Sequence, residues 1–304
     1  MRSFLINTFF FILFGLFTYV IGLLLLGDIL MRRTNANVMY EPESGFNEFR
    51  FSEAKKLKDL DVLFIGSSHS YRSFDPRILN EYDLKTFNIG TSSQTHVQTN
   101  YLLKEYLNQL TPKLIVYEVY PNTFMSDGVE STLNLLSSRD NIDLSLVKMS
   151  LATYNLAVYN SFINIISYKI LGRKPNRKYP KEEKYVDGGY VETLGTNNFD
   201  YVKDKIWSPK KGQLSAFESN LSLIKSHNIP VILVEAPYTY NFTNRTDIDR
   251  YFKEKGEFYN FNEKSVFNNK YYFKDYHHLN KRGASLLTNM IAPLLKTKIP
   301  DTNN

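Results

Sequence analysis

Three short windows of the sequence bring together residue types that can carry acyl chemistry. The first, Gly66-Ser67-Ser68-His69-Ser70, follows the apolar run Val62-Leu63-Phe64-Ile65, so a serine stands where a strand ends and a helix begins. The N–H groups of such a turn point at any oxyanion formed there, which favours a nucleophile in that position. The same residues also read as a plain turn whose serine caps the next helix. The second window is Asp275-Tyr276-His277-His278-Leu279-Asn280. An acid and an imidazole three residues apart fit one turn. There the carboxylate can accept from one ring nitrogen, fix the tautomer and support the cation that forms on the other. Two histidines near a helix start also fit an ordinary surface. A metal site would need further ligands, and none stands at suitable spacing along the chain. The third window, Asn88-Ile89-Gly90-Thr91-Ser92-Ser93-Gln94, again sets a glycine after a strand, where the backbone can approach a substrate and offer an N–H.

The elements that must position these windows follow from periodicity. Val62–Ile65, Phe87–Ile89, Leu114–Val119 and Pro230–Val234 are short apolar runs stopped by Gly66, Gly90, Pro121 and Pro237, and each predicts a buried strand. Val97–Leu110 and Leu214–Ile224 are spaced as helix faces, and Asn280 opens a last helix over Lys281–Leu295. Strands that are apolar throughout and alternate with helices predict an α/β domain with a mostly parallel sheet covered on both faces. Ligands of such sheets gather at the carboxyl ends of the strands. Glu118 and Glu235 end two strands and read either as acceptors behind the site or as polar strand ends. His69 reads as a structural neighbour of the serine or a substrate contact. Arg72 and Asp75 read as a local ion pair, with anion binding by Arg72 as the alternative.

Residues 38–60 read as a polar approach segment. Between Asn122 and Lys210 the alternation stops, which predicts an insertion over about 122–210. Within it Leu144–Leu171 is helical in period, and Lys174–Lys184 is a Pro-, Lys- and Arg-rich surface loop.

No charged side chain occurs between Ser3 and Gly27, and Phe4–Leu26 is mostly apolar. At 1.5 Å per residue this run reaches roughly 35 Å, enough for a hydrocarbon core of about 30 Å. Its length, and its continuation into Gly27-Asp28-Ile29-Leu30, favour a retained anchor over 1–37 rather than a cleaved signal. The rest, 38–304, then lies on one side of the membrane. Arg2 precedes the span while Arg32 and Arg33 follow it, so charge does not orient it.

In all, 304 residues with 43% hydrophobic and 22% charged side chains exclude a wholly disordered or fibrous chain. A net charge of +6 is too small and dispersed to argue nucleic-acid binding. The absence of cysteine excludes disulfides, thiolate metal sites and cysteine nucleophiles.

Taken together, a strand followed by Gly-x-Ser, a second strand followed by glycine, and Asp-x-x-His-Leu before the last helix resemble the SGNH/GDSL hydrolase family over about Asp61–Leu295. The resemblance implies a flavodoxin-like three-layer fold carrying a helical insertion and one N-terminal transmembrane helix. It implies Ser68, not Ser67, as nucleophile, His278 as general base with His277 the adjacent competitor, and Asp275 as the orienting acid. The Ser68 and Gly90 N–H groups would be the oxyanion donors. The sequence departs from the pattern at Ser67, where an acid is typical, and after the third strand, where the usual amide is missing and Gln94 or Asn122 would replace it. No cofactor or metal is implied. Membrane-anchored members act in cell-envelope acyl transfer, often beside a membrane-bound O-acyltransferase. That branch implies an extracytoplasmic acyltransferase or esterase working on acyl groups of an envelope glycan. A catalytically reduced binding or assembly subunit and a lipid esterase are the alternatives.

Overall fold

The computed structural model describes residues 1–34, 46–139, 141–172, 179–196, 198–200 and 202–299, the side chains of 27–34 excepted. In chain order the helix α1 (Arg2–Thr34) is followed by α2 (Asn47–Ala54), β1 (Val62–Ile65), α3 (Ser68–Tyr71), α4 (Pro76–Glu81), β2 (Thr86–Asn88), α5 (His96–Leu110) and β3 (Leu114–Glu118). Then come α6 (Val129–Ser138), α7 (Leu144–Ala152), α8 (Leu156–Ile170), β4 (Glu183–Val186), β5 (Tyr190–Thr193), α9 (Lys211–Ser226), β6 (Val231–Glu235), α10 (Arg245–Lys255), β7 (Glu257–Asn260) and α11 (Lys281–Lys298). The chain divides into two compact units, one of Met1–Glu43 with Thr132–Lys178 and one of Ser44–Ser131 with Tyr179–Asn304.

In the first unit α1 is long and apolar enough over Arg2–Leu26 to cross a membrane. It is not alone. The Tyr19 hydroxyl donates to Asn160 Oδ1 at 2.7 Å, the Ser167 hydroxyl donates to the Leu24 carbonyl at 3.2 Å, and Leu23 is buried. The stretch of helical period over Leu144–Leu171 folds as two helices. Tyr154 takes a positive φ of 49°, which no helix continues through, and Asn155 opens α8 by accepting from the Ala157 N–H at 2.8 Å.

The second unit is built on a five-stranded sheet, all parallel, in the order β2-β1-β3-β6-β7. Side chains alternate between its faces, and both are covered. Phe64, Val116 and Val234 pack with Leu79 of α4 and with Leu287 and Ile291 of α11. On the other face Tyr117 hydrogen-bonds His96 of α5 at 2.7 Å and lies against Phe217 of α9. The burial of both faces explains why β1 and β3 are apolar at every position but Glu118. The strand β7 has no such run, because it is a half-exposed edge. Within 38–60, residues 38–45 lie outside the described residues, and the remainder includes α2, whose Arg50 is buried with its guanidinium donating to the Gly189 carbonyl at 3.0 Å.

The surface loop expected over Lys174–Lys184 lies outside the described residues as far as 178, and from Glu183 it is the first strand of an antiparallel hairpin, β4–β5. Gly188 and Gly189 turn the hairpin with φ of 99° and 78°. A Cβ on Gly189 would stand 2.1 Å from the Asn88 carbonyl, and the Gly188 carbonyl accepts from the Asn88 N–H at 2.9 Å. The hairpin thus closes directly on the carboxyl end of β2.

At the other end of the chain Asn280 caps α11, its Oδ1 accepting from the Arg282 and Gly283 N–H groups at 3.0 and 3.1 Å. Its Nδ2 donates to the carbonyls of Tyr271 and Phe273 at 2.8 and 3.2 Å, tying the preceding loop to the helix start. Gly283 permits this closeness, since a Cβ there would lie 2.2 Å from the Tyr272 carbonyl oxygen. Alanine normally stabilises a helix interior relative to glycine by about 0.5–1 kcal/mol. Gly283→Ala is expected to do the opposite, destabilising the protein by about 1–3 kcal/mol in chemical denaturation. An unchanged or raised midpoint would contradict this packing.

Candidate active site

The first and second windows meet at the carboxyl ends of β1 and β3. Gly66 has φ 143°, and a Cβ on it would come within 2.8 Å of Glu118 Cβ and Oε2. Glycine therefore lets the turn after β1 close over the end of β3, where Glu118 Oε2 accepts from the Ser67 N–H at 3.3 Å and the Ser67 hydroxyl at 3.1 Å. Ser67 Oγ in turn accepts from the His69 N–H at 3.2 Å and caps α3. Serine at this position is thus a helix cap held by a buried acid. Burial, with the Glu235 charge adding to it, pushes the Glu118 carboxyl up to about 8 against the opposing Ser67 hydrogen bonds. Glu235, the other strand-end acid, is occupied by Arg245 at 2.6 and 2.8 Å and by the Tyr238 hydroxyl at 2.5 Å.

Ser68 is the first residue of α3, and its N–H has no acceptor among the described residues. Its Oγ lies 2.8 Å from His278 Nε2, and His278 Nδ1 lies 2.9 Å from Asp275 Oδ2. An ionised carboxylate can only accept, so Nδ1 carries the proton and Nε2 accepts from the Ser68 hydroxyl. Asp275 is fixed in turn, its Oδ1 accepting from the N–H groups of His277 and His278 at 2.9 Å each. Burial raises the Asp275 carboxyl, but the His278 hydrogen bond and the charges of His278 and His277 outweigh it and hold it well below its ordinary value. Burial lowers His278, with the Arg72 charge adding to it and the Asp275 hydrogen bond opposing, so its ring is a neutral base at neutral pH.

His277 faces elsewhere. Its Nδ1 is 3.1 Å from Nε2 of the buried His69, and its Nε2 is 3.7 Å from Asp275 Oδ1, beyond a hydrogen bond. The sequence offered no ligand spacing for a metal, yet folding brings His69 from the other end of the chain. One nitrogen each from His69, His277 and His278 lies within 4.8 Å of the others, a grouping with the reach to hold a cation.

The remaining expected donors fare differently. Gly90 stands beside the first turn, where a Cβ would meet the Gly66 carbonyl at 2.9 Å, but its N–H already donates to Asn88 Oδ1 at 2.9 Å. It is thus not a free oxyanion donor. Gln94 is consumed by its own loop: Oε1 accepts from the Thr91 N–H and hydroxyl at 2.8 and 2.9 Å, and Nε2 donates to Thr99 Oγ1 at 2.8 Å. Asn122 sits in the turn after β3 with Oδ1 toward Lys205 Nζ at 3.5 Å, and its amide nitrogen has no partner among the described residues. Arg72 and Asp75 do not pair. Arg72 reaches Glu183 at 2.7 Å and Thr193 at 2.5 Å on the hairpin, while Asp75 binds Arg77 at 2.6 Å and caps α4. The hairpin's role here was hidden because Glu183 and Thr193 carry no local signal.

Against known proteins, the chain matches no family model and no curated protein.

The lowered His278 predicts a pH profile. The base acts when neutral, so the rate of modification of Ser68 by a fluorophosphonate should hold below pH 6.5, the ordinary imidazole value, and fall only in more acidic solution. A midpoint above 6.5 would contradict the buried setting of the ring.

Proposed function

We propose that this protein is a serine acyl-transferring enzyme of SGNH/GDSL type that works through an acyl-enzyme. The observation that carries the reading is one imidazole within hydrogen-bond reach of Ser68 Oγ on one side and of Asp275 on the other, at 2.8 and 2.9 Å. Ser68 Oγ attacks an ester carbonyl as His278 Nε2 takes its proton. The imidazolium is stabilised by Asp275, and it returns the proton to the leaving alcohol as the tetrahedral adduct collapses. The Ser68 N–H is the backbone oxyanion donor. Asn122 is the remaining candidate for a side-chain donor, and Gly90 joins only if its N–H exchanges Asn88 Oδ1 for the oxyanion. Water or an acceptor hydroxyl then completes hydrolysis or transfer.

The membrane-length apolar helix supports an anchored enzyme, and the resemblance to anchored envelope enzymes supports an extracytoplasmic site acting on O-acyl groups of a cell-envelope glycan, with a membrane-bound O-acyltransferase as partner.

A fluorophosphonate should label the full-length protein at Ser68. Labelling should vanish in Ser68→Ala, fall by about 10³-fold or more in His278→Ala, and fall strongly in Asp275→Asn, whose amide favours the wrong tautomer. Labelling at another serine, or equal rates in wild type and His278→Ala, would overturn the assignment.

A further inference from the structure

One part of the site has no task in acyl transfer. His69 is buried at 2% exposure, its ring stacked on Tyr120 with centroids 3.6 Å apart, and its Nε2 meets His277 Nδ1 at 3.1 Å. His278 follows directly, and the three rings present one nitrogen each within 4.8 Å. We infer that these three imidazoles form a binding site for a divalent transition-metal ion of the zinc class, and that the bound ion switches the Ser68 nucleophile off. The switch rests on the proposed acyl chemistry, whereas the metal site does not.

Four features of the cluster favour such an ion. First, an all-imidazole donor set suits zinc, cobalt, nickel or copper rather than the oxygen-seeking magnesium or calcium. Second, zinc–nitrogen bonds of about 2.0–2.1 Å place tetrahedral ligands roughly 3.3 Å apart. The His69–His277 pair is already near that separation, and the wider ones must close on the ion. A water would complete four-coordination. Third, a neutral imidazole keeps a lone pair on one ring nitrogen, and His69 Nε2 already faces His277 Nδ1 at 3.1 Å. The hydrogen shared by His69 and His277 must leave that pair when the ion enters. Moved to His277 Nε2, it points toward Asp275 Oδ1, now 3.7 Å away. Fourth, Asp275 already holds His278 Nδ1, the carboxylate–histidine arrangement that orients a metal-bound imidazole. The Asp275 charge also opposes those of Lys205 and Arg72, which act on the His277 ring.

The consequence for Ser68 is direct. Asp275 occupies His278 Nδ1, so Nε2 is the only nitrogen of that ring with a lone pair to give. Coordination takes that lone pair, and the hydroxyl loses its proton acceptor.

The test titrates cobalt(II) chloride into the detergent-purified full-length protein. We expect the intense visible absorption of four-coordinate cobalt, saturating at one ion per chain and bleached by zinc chloride. The band should be lost in His69→Gln and His277→Gln variants that keep the wild-type thermal midpoint. Zinc chloride should slow fluorophosphonate labelling of the wild type by about tenfold or more, and of His277→Gln by less than about twofold. No band in the wild type, or a band unchanged in either folded variant, overturns the site. A band lost as expected but with labelling indifferent to zinc overturns the switch. Should wild type resist labelling even in chelator, the serine reading fails, and the cobalt spectra still decide the metal site.

Discussion

An imidazole has two nitrogens, and His278 uses both. Its Nδ1–H donates to Asp275 and its Nε2 accepts from Ser68, whose position lies 210 residues earlier in the chain. Neither contact is useful without the other. Without the carboxylate the ring has no reason to keep its proton on Nδ1, and without a fixed tautomer Nε2 is not reliably an acceptor for the hydroxyl. The rest of the second unit serves to bring these atoms together and hold them there. The sheet order places the end of β1 beside β3, and α11, packed on the same sheet, delivers the loop that carries His278.

Support for this chain comes from residues that do no chemistry themselves. Gly66 lets Glu118 close on Ser67, Ser67 caps the helix that begins with Ser68, and Asn280 anchors the loop behind His278. On the far side, Asn88 donates to Ser70 at 3.0 Å while accepting from Gly90, and the hairpin presses on Asn88 through Gly188 and Gly189. Arg72 extends from just after α3 to the same hairpin. The turn that displays Ser68 is therefore held by three separate segments, so its geometry is fixed by the fold itself.

Much of this was legible from local pattern, because β1, β3 and β6 are buried on both faces and must be apolar nearly throughout. The Asp-x-x-His turn was legible because both residues lie in one loop. Other features escaped for physical reasons. The edge strand β7 carries Glu257 and Asn260 at its ends and is half solvated, so no apolar run marks it. The hairpin β4–β5 sits amid polar residues, and its role depends on two glycines meeting Asn88, a contact no spacing along the chain announces. The break between α7 and α8 was masked by helical periodicity on both sides of Tyr154. Gly90 and Gln94 have the right type and place for oxyanion donors, but Asn88 Oδ1 and Thr99 Oγ1 already accept from their N–H groups, and such competition appears only in three dimensions. His69 joins His277 for the same reason.

The most direct test is capture of the covalent intermediate itself. Full-length protein is mixed briefly with an activated acetate ester, quenched in acid, digested and mapped by mass spectrometry. An acetyl group is expected on Ser68 in the wild type and none there in His278→Ala. An acetyl group carried on another residue, or equal acetylation of Ser68 with and without the imidazole, would contradict this mechanism.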